Sequence, residues 1–94
     1  MNCSELIFTG HALTKMFARG IPPEEVRGVL GDGETIAEYP DDKPHPSRLL
    51  LGTVHGRVLH VVVARDDATQ RCYVITVYEP EHTKWSPDFK RRTR

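Results

Sequence analysis

The sequence has few of the residue patterns that mark metal sites or disulfide scaffolds. Its two cysteines, Cys3 and Cys72, lie far apart in the chain, and its five histidines never fall at the short spacings of zinc ligands. We therefore predict no metal and no cofactor. Both cysteines are interpreted as buried or idle thiols rather than as a disulfide.

Long apolar runs and nucleotide-binding motifs are also lacking. No stretch approaches the length of a membrane span, and Met1–Glu5 has no basic residue of the kind that opens a signal peptide. The expected location is the cytoplasm. Gly31-Asp32-Gly33 is a turn signal rather than a phosphate-binding loop, and the sequence contains no nucleophile elbow and no dinucleotide fingerprint.

The net charge is zero, but the charge is unevenly distributed along the chain. Residues 1–42 contain three basic and eight acidic side chains, net −5, and residues 43–94 contain ten and five, net +5. A neutral molecule does not attract phosphate at long range, which argues against indiscriminate nucleic-acid binding. Ninety-four residues fit a single domain, with 86–94 as a basic C-terminal tail whose last five or six residues are expected to be disordered.

Hydrophobic periodicity predicts two helices followed by strands. The first helix starts near Thr9 and ends at Gly20, and the second starts at Pro22-Pro23 and ends at Gly31. One apolar stripe of the first helix is expected to face the core: Ala12, Leu13, Met16 and Phe17. Strands are predicted at 34–39, 48–54, 57–64 and 71–79, with a short N-terminal strand or helix lead-in at 6–8.

This order predicts an α+β fold. Two N-terminal helices would pack on one face of a roughly four-stranded antiparallel sheet, with His55-Gly56 as a tight hairpin turn. Two short helices cover only one face of such a sheet. The other face therefore requires the tail, a partner or a ligand to shield it.

Three basic side chains of the first helix share one stripe. His11, Lys15 and Arg19 follow each other at intervals of four residues, so each step drifts only about 40° around the helix axis. Such a stripe can hold a phosphate or a carboxylate, and a histidine can also move a proton near neutral pH. The alternative interpretation is a solvated polar face.

His60 interrupts the apolar run Val58–Val63. It is either a core histidine held by a backbone group or hydroxyl, or a functional group on the uncovered face of the sheet. Thr76 and Tyr78 share a face with each other, but the register of the hairpin decides whether His60 joins them. Arg48 is the natural phosphate-binding fork if it lies near His60 or Tyr78.

The C-terminal residues supply further candidate binding groups. Trp85 is interpreted as a cover for the open end of the core rather than as a base-stacking residue. Arg91 and Arg92 are candidates for phosphate contacts. Histidine, lysine, arginine, tyrosine and threonine together suit metal-independent phosphodiester transfer, in which a base activates a ribose 2′-hydroxyl and cations stabilise the transition state.

Several short motifs in combination resemble domain-of-unknown-function family 4258. The similarity covers about residues 6–92, and its motifs are Thr9-Gly10-His11-Ala12, Arg19-Gly20-Ile21, Arg48-Leu49-Leu50, Leu59-His60-Val61-Val62 and Ile75-Thr76-Val77-Tyr78-Glu79-Pro80, followed by Trp85 and Arg91-Arg92. More distantly, the order of elements is similar to the RelE/ParE-like toxin superfamily. Many members of that superfamily cleave messenger RNA without metal, and others inhibit gyrase.

The resemblance implies a toxin-like, metal-independent endoribonuclease of a toxin–antitoxin system. Its partners would be RNA or the ribosome, together with a small antitoxin-like protein. The expected catalytic residues are His60, His11 and Tyr78. The expected substrate-binding and phosphate-binding residues are Lys15, Arg19, Arg48, Thr76, Arg91 and Arg92. This hypothesis predicts that His11, Arg48, His60 and Tyr78 converge on one concave face.

Two other functions remain open at this point. One is a non-catalytic protein-binding module, either a degenerate toxin relative or an adaptor, that docks a partner or a second copy of the chain on the open sheet face. The other is a ParE-like inhibitor of another enzyme, which would use the tail and the surface without a catalytic constellation.

Overall fold

A short strand, two helices and a four-stranded meander make up the chain in the computed structural model, which describes residues 1–93. The helices and strands have the following bounds: β1 (Glu5–Phe8), α1 (Gly10–Arg19), α2 (Pro23–Asp32), β2 (Glu34–Tyr39), β3 (Ser47–Val54), β4 (Arg57–Arg65) and β5 (Arg71–Tyr78). The predicted α+β class with two N-terminal helices is confirmed. No helix within residues 1–93 has the length and apolarity to cross a membrane.

The sheet has five strands and is mixed, which corrects the expectation of about four antiparallel strands. The strand order is β1-β5-β4-β3-β2, and β1 pairs parallel with β5, with Leu6 opposite Cys72 and Phe8 opposite Val74. All other pairs are antiparallel. The sequence alone did not distinguish a strand from a helix lead-in at residues 6–8, because three apolar residues fit both equally well.

Local sequence signals position α1. The Thr9 side chain accepts a hydrogen bond from Ala12 N (3.1 Å) and caps the helix. At the other end Gly20 adopts φ 63°, its N–H reaches Phe17 O, and Ile21 N reaches Met16 O (2.9 Å). This is the Schellman motif that the sequence predicted.

Two further turns lie close to their predicted positions. His55 and Gly56 have φ 51° and 78°, the left-handed pair that a two-residue hairpin between β3 and β4 requires. The second helix continues one residue past the predicted Gly31, to Asp32, because Gly33 N bonds to Val29 O and caps it.

The hydrophobic core lies between the helices and one face of the sheet. Its buried members come from both helices, the Ile21 linker and alternate residues of β3, β4 and β5: Ala12, Met16, Ile21, Val26, Val29, Leu30, Leu50, Leu59, Val61, Val63, Cys72, Val74 and Val77. The predicted apolar stripe of α1 is only half correct. Ala12 and Met16 are buried, but Leu13 is 49% exposed and Phe17 is 91% exposed.

Arg57 ties both helices to the sheet. Its guanidinium lies 3.0 Å from Glu25 of α2 and 3.2 Å from Glu79 beyond β5. It also donates to the carbonyl oxygens of Arg19 and Gly20 at the end of α1. These carbonyls have no partner within the helix, so the cation satisfies groups that the helix itself cannot.

Cys3 and Cys72 form a disulfide, which corrects the interpretation of idle thiols. The parallel pairing of β1 with β5 explains it. Ser4 N bonds to Gln70 O (2.8 Å), and the two cysteine Cα atoms come within 5.5 Å of each other. Disulfides need such close Cα atoms. A spacing of this length in sequence does not reveal that the fold brings the cysteines together.

The sheet face opposite the helices is covered at both ends by the chain itself. Residues 80–93, here called the tail segment, cover the end at which Tyr78 and His60 lie. At the other end His45 of the 40–46 loop stacks on Tyr73, with ring centroids 5.6 Å apart. The tail is folded rather than disordered as far as Thr93, whose N–H bonds to Lys84 O (2.9 Å). Arg94 lies outside the described residues.

Candidate functional site

His60 lies on the face of β4 that points away from the helices. Its neighbours Leu59 and Val61 belong to the core on the helix side, and side chains alternate along a strand. In the register, His60 is opposite Tyr78 and Val62 is opposite Thr76. His60, Thr76 and Tyr78 therefore share one face, which the sequence left undecided.

Both ring nitrogens of His60 have hydrogen-bond partners within the chain. Nε2 lies 2.9 Å from the Phe89 carbonyl oxygen, and Nδ1 lies 3.1 Å from the Tyr78 hydroxyl. A carbonyl oxygen only accepts, so we assign the proton to Nε2. In the neutral ring Nδ1 is then an acceptor, and the Tyr78 hydroxyl donates to it.

Burial keeps His60 neutral. The side chain has no exposed surface, and desolvation lowers the pKa of His60 below its ordinary value. The hydrogen bond to Phe89 offsets only part of this shift. Burial also raises the pKa of Tyr78, which keeps its phenol protonated. The pair is therefore uncharged at neutral pH.

Trp85 closes the site. Its ring meets His60 edge to face, with centroids 4.4 Å apart, and only 7% of its surface is exposed. The Arg92 guanidinium lies 5.5 Å from the centroid of the indole on its outer side. Trp85 was predicted to cover the open end of the core. It is buried, but it packs on His60 at the outer face of the sheet and is not a member of the core cluster.

Backbone hydrogen bonds fold the tail segment into a small closed loop. Trp85 pairs with Arg92, and Ser86 N bonds to Arg91 O (2.8 Å). Lys90 reaches Glu34 at the start of β2, with 3.0 Å between Nζ and Oε1. The tail therefore spans the sheet from β5 to β2 and holds Arg91 and Arg92 at its exposed rim.

The other predicted site residues lie elsewhere. Arg48 is opposite Val63, a core residue of the helix side, and it lines a cavity of about 240 Å³ with Glu38, Arg65 and Asp67. His11, Lys15 and Arg19 lie on α1, also on the helix side of the sheet. Of the four residues predicted to converge, the structure brings only His60 and Tyr78 together.

The α1 helix presents a second candidate surface, which sequence reasoning missed. Leu13 and Phe17 were assigned to the core, yet both are exposed, and they border a groove of about 590 Å³ with Met16, Ile21 and Pro23. We call the solvent-facing side of this helix the exposed face of α1. The signal in the sequence was the width of the apolar stripe, which exceeds what a ten-residue helix above one strand can bury.

Basic groups border the same face. Residues 10–19 contain no acidic side chain. No hydrogen bond or ion pair joins the side chains of His11, Lys15 or Arg19 to other described residues. Within residues 1–93, no group of three or more His, Cys, Asp or Glu side chains is placed to hold a metal ion.

Comparison with known proteins gives one match. The family model described as domain of unknown function (DUF4258) matches residues 8–79, which include both helices and all of the sheet except most of β1. No curated protein and no solved structure matches the chain.

Proposed function

Since this chain belongs to the family described as domain of unknown function (DUF4258), we propose its function from its own residues: it is a non-catalytic protein-binding module that docks a partner on the exposed face of α1. The observation that carries the proposal is Phe17, an aromatic residue in the last turn of α1 that is 91% exposed. Burying such a side chain contributes about 1.5–3 kcal/mol to association.

The closed state of the sheet site supports binding over catalysis. A general base must come within hydrogen-bond reach of the proton that it abstracts. His60 has no exposed surface, and both of its nitrogens are bonded within the chain. The cations of Arg48 and α1 lie on the helix side of the sheet and do not accompany it.

The α1 helix is also fixed at both ends before any partner arrives. Thr9 Oγ1 donates to Val74 O of β5 (2.9 Å) while it caps the helix. Arg57 bonds to the carbonyls of Arg19 and Gly20 at the other end. A rigid surface loses little conformational entropy when it binds, which favours association.

Affinity purification from native cells tests this function. We expect a partner that wild type retains, that mass spectrometry identifies, and that rebinds as purified protein. Phe17→Ser should lose it by about tenfold or more in affinity. Tyr39→Ser is the matched control because Tyr39 is an exposed aromatic on β2, 42% accessible. Equal loss in both variants, or binding unaffected by Phe17→Ser, would contradict the proposal.

A second candidate is the toxin-like endoribonuclease, and one observation favours it. The partly exposed Tyr78 donates its hydroxyl to His60, so a phenol of fixed orientation lies beneath the basic rim of Arg91 and Arg92. In this candidate the Tyr78 hydroxyl would turn from His60 Nδ1 to the leaving 5′-oxygen of RNA and protonate it as the P–O5′ bond breaks, while water takes the proton of the attacking 2′-hydroxyl. The raised pKa of Tyr78 would keep its phenol protonated until that step.

Induced expression in a bacterial host separates the two candidates. The nuclease predicts growth arrest with cleaved transcripts, both abolished by Tyr78→Phe in a variant that stays folded. Because Arg48 lies on the helix side of the sheet, Arg48→Ala would reduce RNA cleavage only if Arg48 moved to the sheet face that holds Tyr78. The binding module predicts intact transcripts for the wild type and for both variants.

A further inference from the structure

The exposed face of α1 has two chemically different edges. With about 100° of rotation per residue, Thr14 and Ala18 mark the centre of this face. Phe17 lies about 80° to one side and Leu13 about 120°. His11, Lys15 and Arg19 lie on the other side, at about 40°, 80° and 120°. The face is therefore apolar along one edge and basic along the other.

The side chains at the centre of the face are short, and the one polar side chain among them already has a hydrogen-bond partner. Thr14 Oγ1 donates to Gly10 O (3.0 Å), so the hydroxyl has a partner within the helix. Together with Ala18 it leaves short side chains between the two edges. Helices pack at close distance where the contact residues are small. The ten residues of α1 give a contact about 15 Å long, which suits a small, transient interface.

The charge of the basic edge indicates which side chains a partner would bring to it. The basic edge has no acidic residue on α1 and no partner among the described residues. A second copy of the chain that docked through its own α1 would bring the same basic side chains, because this helix has no carboxylate. An acidic side chain from a partner would complement this edge, whereas a basic one would be repelled.

We propose that the exposed face of α1 recognises an acidic amphipathic helix of a partner protein, with apolar side chains against Phe17 and Leu13 and carboxylates against His11 and Lys15. This inference rests on the proposed binding function and specifies the partner's chemistry. An amphipathic helix carries such edges along its length, and helix-on-helix docking is a recurring mode of recognition.

A displayed peptide library tests the inference. Peptides of about 18 residues, or five helical turns, carry a fixed leucine stripe, and each flanking position is drawn from Glu, Gln and Lys. The full-length protein is the bait in four forms: wild type, Phe17→Ser, Lys15→Glu and the control Tyr39→Ser. Urea unfolding confirms that each bait is folded, and sedimentation establishes its oligomeric state.

We expect wild type and Tyr39→Ser to select glutamate on one flank of the stripe. Phe17→Ser should select no binders. Lys15→Glu should weaken the glutamate peptides by about fivefold, as expected for a reversed rim charge, and shift the selection towards lysine.

Three results would overturn the inference in distinguishable ways. Binders that need Phe17 but show no preference for glutamate would remove the acidic partner and leave the proposed function intact. The absence of any binder that depends on Phe17 would contradict both the acidic partner and the proposed binding function. A wild-type dimer that Phe17→Ser converts to monomer would assign the surface to a second copy of this chain.

Discussion

The two candidate surfaces of this protein differ in how many of their side chains already have partners within the chain. On the sheet, His60 has partners for both nitrogens, and Trp85 covers it. On α1, an exposed phenylalanine lies across the helix from cations that have no partner among the described residues. The residues with the more familiar catalytic side chains belong to the closed surface. A surface can bind a partner where its polar groups still lack partners and its apolar side chains are exposed, and residue type alone does not show where that is.

Removing the indole that covers the sheet is the most severe test of this comparison. Trp85→Ala removes a side chain that is only 7% exposed and packs on His60. We expect a loss of about 3 kcal/mol in the free energy of unfolding, measured by urea denaturation. A loss below about 0.5 kcal/mol, the range of ordinary surface substitutions, would mean that the tail segment does not close the sheet.

The pH dependence of stability tests the neutral state of His60. Its folded pKa is lowered by burial, so the unfolded chain takes up the proton first as pH falls below about 6.5. The contribution of His60 to stability is therefore fully present above that pH and is lost progressively below it, down to the folded pKa.

The matched variant for this pH test is His60→Gln, which keeps an amide facing the Phe89 carbonyl but does not titrate. Between pH 7 and pH 5 we expect wild type to lose more unfolding free energy than His60→Gln, by about 1.4 kcal/mol for each unit by which burial lowers the pKa of His60 within that pH range. Parallel pH profiles for the two proteins would refute the buried neutral imidazole.

Removing the Tyr78 hydroxyl should have a smaller effect. Tyr78→Phe leaves the ring in place and deprives His60 Nδ1 of its donor. We expect a loss of about 1 kcal/mol in unfolding free energy, measured in urea, with RNA integrity unchanged in expressing cells. An unchanged stability combined with loss of an RNA-cleaving activity would identify Tyr78 as catalytic.

The smallest stability effect is expected at the most exposed aromatic. Phe17→Ser should change the free energy of unfolding by no more than about 0.5 kcal/mol, because the side chain buries almost nothing. The neighbouring Met16→Ala, a buried position, should cost about 2–4 kcal/mol. Similar losses at both positions would show that Phe17 packs within the protein and is not available to a partner.

Features determined by neighbouring residues could be predicted from the sequence. The Thr9 and Gly20 ends of α1 and the His55-Gly56 hairpin follow from local hydrogen bonding and backbone preference. The parallel β1–β5 pair and the disulfide depend on contacts between distant residues, which spacing does not reveal.

The candidate site was predictable only in part. His60 was identifiable because a polar side chain in an apolar strand needs a partner, but its register with Tyr78 depends on the chain geometry between β4 and β5, including an irregularity at Val62/Val63. The burial of α1 was overestimated because the pattern shows which residues are apolar and does not show how many of them the sheet can cover.

Site-specific photo-crosslinking in native cells tests the central claim most directly. A photoreactive amino acid replaces Ala18 at the centre of the exposed face of α1, or Thr76 on the sheet face beside Tyr78. We predict a discrete protein adduct from position 18 that Phe17→Ser abolishes, and none from position 76. An adduct with RNA or protein from position 76, with none from position 18, would contradict the account and move the functional site to the sheet.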